Sequence, residues 1–225
     1  MAIWDEIRDR KITSTIAVVV LLVALVSIWA QTRSTTLKPN HSLLAGIGQV
    51  AAMETATAVR DNGQIVVVID RSYTIDGAAQ FDEWQAFQRE VKKYKRINLL
   101  APVIVEVDPN DGSPGCPSGI FKDLLEQYAD VAAIVFFVSL PDFDWLRKNQ
   151  RIPQRLPPHV IAVDTGPLPA RGHYDSYFAN GYVTMLIAAR RSAAPVKPGG
   201  PQTGREWFDA YYQVFTPANF ESLTE

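Results

Sequence analysis

An unbroken apolar run from Ser14 to Ala30 (STIAVVVLLVALVSIWA) decides where the rest of this chain can live. It holds about 17 residues without a charge, enough for a nearly upright helix to cross a hydrocarbon core. Trp29 stands at its trailing edge, where an indole favours the membrane interface. A cleaved signal peptide is the alternative, but the run is long for that role, and a cut after Ala30 would leave bulky Ile28 where a small residue is favoured. Arg8, Arg10 and Lys11 before the span outnumber Arg33 and Lys38 after it, which puts the N-terminus in the cytoplasm and the remainder outside. The expected organisation is a cytoplasmic N-terminus over 1–11, a lipid-embedded anchor over 12–31 and a polar linker over 32–41. An α/β domain over 42–190 follows, then a Pro/Gly spacer and aromatic-rich helix or tail over 191–225. Met1–Lys11 reads as an interfacial amphipathic segment or a docking helix, with Ile3, Trp4 and Ile7 on one side.

Composition narrows the function classes. After the anchor and linker, a chain of 225 residues has room for one ordinary domain. With 22 basic and 24 acidic residues, a formal net charge of −2, it has no basic field for gripping phosphates, and nucleic acid is not an expected partner. The single cysteine, Cys116, excludes an internal disulfide. It lies in a Gly/Pro-rich loop, Asp111–Gly119 (DGSPGCPSG), where an exposed thiol would be free or bridged to another chain. His41, His159 and His173 lack ligand spacing and there is no CxxC pair, so neither a metal nor a cofactor is expected.

Past the linker, helical and strand patterns alternate. Ser42 can cap a helix running to Asp61, which Asn62-Gly63 stops. Ile65–Ile69 (IVVVI) is β-branched and apolar on both faces, and too short for a helix. A helix over Ala78–Tyr94, a strand over Pro102–Val107, a helix from Ser118 to Ala129 and a strand over Val131–Val138 follow. A short helix after Asp142, a strand at His159–Val163, a few helical turns at Tyr174–Asn180 and a fifth strand at Tyr182–Ala188 complete the domain. Strands that are apolar on both faces and alternate with helices predict a doubly wound, mostly parallel five-stranded sheet of Rossmann-like or flavodoxin-like kind.

Such folds place ligands at the carboxyl ends of their strands. Those ends carry Asp70 and Arg71, Asp108 with Asn110 and Asp111, Ser139 and Asp142, and Asp164. Asp, Asn, Ser and Pro also start helices and turns whether or not anything binds, so the constellation has a purely structural explanation beside the functional one. No GxGxxG, GxxxxGK[ST] or GxSxG sequence is present, and no catalytic residue is assigned.

The order of the pieces resembles one lobe of the type I periplasmic binding proteins, the fold shared by sugar-binding proteins and the lac-repressor core. The resemblance rests on AVRDNGQIVVVID (Ala58–Asp70), LLEQYADVAAIVFFVSLPD (Leu124–Asp142), VIAVDTG (Val160–Gly166) and YFANGYVTMLIAAR (Tyr177–Arg190). It implies a ligand cleft in which Asp164 matches the family's aspartate after the fourth strand, while Ser139-Leu140 replaces its polar pair. It also implies that a lone lobe supplies half a cleft, so that tight small-molecule binding needs a homodimer or another protein as second wall.

The C-terminal region concentrates Trp207, Phe208, Tyr211, Tyr212, Phe215 and Phe220, with a helix expected over Arg205–Phe215. Such aromatic area either covers its own sheet or anchors a partner. The combined expectation is a bacterial inner-membrane protein with a periplasmic domain. Its main role would be non-enzymatic, an interaction or accessory subunit docking through Trp207, Phe208, Tyr211, Tyr212 and Phe215. The alternative is a tethered binding or sensor domain for a sugar-like small molecule, using Asp70, Arg71, Asp108, Ser139, Asp142 and Asp164.

Overall fold

The structure, a computed structural model, describes residues 40–107, 115–149, 155–165, 171–190, 200 and 203–220. All of them belong to one compact unit, Asn40–Glu225. The apolar run Ser14–Ala30 lies outside the described residues, and among those that are described no helix is long and apolar enough to cross a membrane.

Helix α1 (His41–Ala58) begins at Asn40, whose side chain accepts from Leu43 N at 3.1 Å. The cap therefore sits two positions before the expected Ser42; an asparagine carbonyl satisfies the same orphan amides. The helix ends at Ala58, and Arg60 and Asp61 take left-handed φ values of 54° and 56° before Gly63 at 125°. Strand β1 (Gly63–Asp70) then runs into a short 3-10 turn, Arg71–Thr74, and helix α2 (Ala79–Val91). Strands β2 (Ile97–Leu99) and β3 (Val103–Val105) precede helix α3 (Ser118–Gln127) and strand β4 (Ala133–Phe136). Helix α4 (Phe143–Asn149), strand β5 (His159–Asp164), helix α5 (Arg171–Ala179) and strand β6 (Met185–Ala189) follow. Helix α6 (Gly204–Tyr211) and strand β7 (Tyr212–Phe215) close the chain.

The sheet order is β2-β1-β4-β5-β6-β7, with β3 also paired to β1. Every pairing is parallel except β6 with β7. The sheet is thus α/β and doubly wound as expected, but among the described residues it has seven strands where the sequence pattern predicted five. The expected Pro102–Val107 strand is β3, and one addition is β2, which lies ahead of it at Ile97–Leu99. Leu99 pairs with Ile65, the chain breaks step through Leu100–Pro102, and Val103 resumes the pairing at Val68. The other is β7, which the helical spacing of the aromatics had placed inside a helix ending at Phe215.

Both faces of the sheet are covered. Val66, Val68, Ile134, Phe136, Val160 and Ala162 meet α3, α4 and α5 through Phe121, Leu146, Tyr174 and Tyr177. The alternate residues Ile65, Val67, Ile69, Val135, Ile161 and Val163 meet α1, α2 and α6 through Ile47, Trp84, Phe87 and Phe208. Ile65 through Ile69 have no exposed surface at all, which explains why β1 shows no alternation of polar and apolar residues. Each such side chain is worth roughly 1.5–3 kcal/mol of burial.

Candidate functional site

The strand order reverses between β1 and β4, so the connections leaving these neighbours depart over opposite faces. Helix α2, which follows β1, packs on one face; helix α4, which follows β4, packs on the other. Between two such departures an open sheet leaves a crevice at its carboxyl edge. The pairing registers Val68↔Phe136 and Phe136↔Ala162 place Asp70 level with Asp164 on either side of the chain leaving β4. Two strand spacings put their backbones about 10 Å apart.

Each candidate residue has a definite local role. Asp70 Oδ1 accepts from Ser72 N at 2.6 Å and so caps the 3-10 turn. Arg71, the next residue, is exposed. Ser139 is half-buried, and its carbonyl accepts from Cys116 N at 2.8 Å, pairing this loop with Gly115. The exposed Asp142 starts α4, its carbonyl accepting from Leu146 N at 2.9 Å. Asp164 is 8% exposed, and its Oδ2 accepts from Tyr174 Oη at 2.9 Å. Asp108 lies outside the described residues, as does Asp111. The edge therefore brings together Asp70, Arg71, Ser139 and Asp164 from three adjacent strands. Among the described residues no three His, Cys, Asp or Glu side chains form a group able to hold a metal ion.

Cys116 is fully buried, against the expectation of an exposed loop thiol. Burial pushes the thiol up to about 12, so it stays protonated and unreactive at neutral pH.

The group that the sequence reading passed over is Glu83. It sits in the middle of α2 with no exposed surface. Tyr73 Oη lies 3.2 Å from its Oε2 and 3.0 Å from Phe137 O, and the Tyr73 and Phe137 rings pack at 5.7 Å. Desolvation raises the Glu83 carboxyl to about 8 against a lowering by the Tyr73 hydroxyl, and the charge of Asp70 adds a smaller upward push. Tyr212 also joins this edge: its hydroxyl donates to Thr165 O at 3.3 Å, and burial raises it to about 12. The available signal for Glu83 was its position four residues before Phe87, which puts a carboxylate on an apolar helix stripe.

The aromatic C-terminus divides in two. Phe208, Tyr212, Phe215 and Phe220 are buried in this domain's own cores. Trp207 is half-buried and Tyr211 is 38% exposed, with their rings stacked at 5.7 Å and 18° on the outer side of α6. Two grooves open on the helical surface, one of about 440 Å³ bordered by Gln49, Arg89 and Gly204, the other of about 490 Å³ bordered by Tyr94 and Leu99. Neither is lined by Asp70, Arg71, Ser139, Asp142 or Asp164.

No protein-family model matches the chain, and no curated protein sequence matches it. Solved structures do. An ABC transporter solute-binding protein from Burkholderia graminis, in complex with D-arabinose, is 13% identical over 79% of this chain and 61% of its own, with a TM-score of 0.49. An arabinose-binding protein from Geobacillus stearothermophilus is 15% identical over 80% of this chain and 63% of its own, with a TM-score of 0.48. A sugar-binding protein from Bacillus halodurans gives 13%, 79%, 63% and 0.49 for the same measures. This chain thus spans about three fifths of the length of the structures it matches. The proteins it resembles are solute- and sugar-binding proteins, the group named from its sequence pattern.

Proposed function

We propose that this chain is a non-enzymatic binding domain that takes a small, hydroxyl-bearing molecule at the carboxyl edge of its sheet. The observation that carries this reading is the reversal of strand order at β1/β4, with Asp70 and Asp164 level on either side of it. Arg71 and Asp164 offer a charged donor and an acceptor, suited to vicinal hydroxyls. The apolar run Ser14–Ala30 would tether the domain on the outer side of a bacterial inner membrane. A second wall, from a homodimer or another subunit, would complete the half-open site.

A thermal-shift screen with monosaccharides and polyols tests the reading, using Asp164→Asn and Arg71→Ala as controls. The expected result is a stabilising ligand whose effect both substitutions abolish while the unliganded melting temperature changes little. A ligand that stabilises both variants as well as the parent would place its site elsewhere.

A second reading, an accessory subunit that docks a protein partner, is favoured by the outward-facing Trp207–Tyr211 pair. Alanine at both positions, followed by purification from membranes in gentle detergent, would then lose a co-purifying chain.

A further inference from the structure

Tyr73 Oη makes two close contacts, one to Glu83 Oε2 at 3.2 Å and one to Phe137 O at 3.0 Å. A phenol has one proton, and a backbone carbonyl can only accept. Both contacts are hydrogen bonds only if Glu83 brings a proton of its own. The burial of Glu83 points the same way. It has no exposed surface, and its Oε1 has no hydrogen-bond partner. An ionised carboxylate in that position would leave a charged oxygen unsolvated, whereas the carbonyl oxygen of a neutral acid tolerates it at far lower cost.

The contact ties two pieces of the candidate edge together. Tyr73 belongs to the turn that follows β1, and Phe137 is the first residue past β4. We propose that Glu83 is a proton-operated latch on the turn after β1. Protonated, it donates to Tyr73 Oη and leaves the phenol's own proton for Phe137 O. Ionised, with its proton released to solvent, its Oε2 accepts the hydrogen bond from Tyr73 Oη that Phe137 O would otherwise receive, and the tie across the β1/β4 boundary is lost. Tyr73 is itself raised far above the ordinary phenol range by burial, so it keeps its proton throughout.

Among the described residues no cation offsets the Glu83 charge. Asp70, from the end of β1, adds negative charge beside Glu83, and the Tyr73 hydroxyl is the group that favours ionisation. Tyr212, from β7, feels the Glu83 charge and shifts upward with it. From α1 the neighbour is Gly48, which approaches backbone to backbone. Among the described residues, the groups that act on Glu83 are Tyr73 and Asp70. The latch acts on the turn itself and goes beyond the ligand proposal, so it holds or fails with no ligand present.

Hydrogen–deuterium exchange of the peptide over residues 70–78 tests it, comparing the full-length parent with Glu83→Gln at matched pH so that intrinsic exchange rates cancel. The amide keeps a donor at every pH. The expected result is equal protection at about pH 6.5 and at least about ten-fold faster exchange in the parent at about pH 9.5. The same ratio at both pH values overturns the latch. Should Glu83→Gln fail to fold, carboxyl-carbon NMR of the parent decides. A shared alkaline midpoint for Glu83 and the Tyr73 ring supports it, and a Glu83 midpoint in the ordinary carboxylate range overturns it.

Discussion

Gly46 and Gly204 meet so closely that a Cβ on Gly46 would lie 2.0 Å from Gly204 O. This contact seats the start of α6 directly on α1. The C-terminal segment is therefore part of the domain, not an appendage to it, and the capping box between Thr203 and Glu206 fixes where α6 begins.

Gly46→Ala has nowhere to put its methyl group without moving one helix from the other. Overpacking of this kind costs about 1–3 kcal/mol, and backbone is the obstacle here, so the upper end is expected. Chemical denaturation reads the loss directly, and Gly119→Ala, whose added Cβ meets nothing within 4 Å, is the matched control.

The two sides of α6 should respond differently to truncation. Phe208 is 2% exposed and packs beneath the helix, so Phe208→Ala is expected to cost about 3–5 kcal/mol. Trp207→Ala with Tyr211→Ala removes an outward-facing stacked pair worth about 0.5–1.5 kcal/mol beyond its burial. Melting temperatures of the three variants check the order.

Stability should depend on pH through Glu83. Its carboxyl binds a proton more tightly in the folded state, near 8, than in the unfolded chain, near 4.5. Stability from this group is therefore fullest below the unfolded value. It falls as pH rises through the window between the two, and levels off above the folded value. Within the window the slope approaches about 1.4 kcal/mol per pH unit. Denaturation of the parent and Glu83→Gln across this range should show the slope in the parent and its loss in the variant.

Tyr73→Phe removes the proton that Phe137 O accepts and leaves Glu83 Oε2 without its Tyr73 contact. Loss of a buried hydrogen bond with an orphaned acceptor costs about 1–3 kcal/mol. If the one-proton arrangement is right, the cost is larger in the parent background than in Tyr73→Phe combined with Glu83→Leu, a difference a double-mutant cycle measures.

Much of this architecture can be read from residue order. IVVVI at Ile65–Ile69 and HVIAV at His159–Val163 are apolar at consecutive positions, and only a strand buried on both faces needs that. Other parts were hidden because two patterns fit one segment. Phe208, Tyr211, Tyr212 and Phe215 recur at helical spacing, yet Tyr212–Phe215 forms an edge strand antiparallel to β6. What overrides the helix is pairing with Leu186–Ala189, a partner more than 20 residues away in sequence. The strand-end residues Asp70 and Asp164 were visible because strand boundaries were. Glu83 was harder to see: its place on the apolar stripe of α2 is a local signal, but an acidic residue on an amphipathic helix ordinarily faces water, and the close approach of Gly48 on α1 is a tertiary contact outside that pattern.

Amide NMR titration with a panel of aldopentoses and aldohexoses decides whether the β1/β4 edge binds a small hydroxylated molecule. Saturable shifts confined to Asp70–Ser72, Phe137–Asp142 and Asp164–Thr165 are expected. Saturable shifts centred on the grooves beside Arg89 or Tyr94, with the strand ends unmoved, would contradict it.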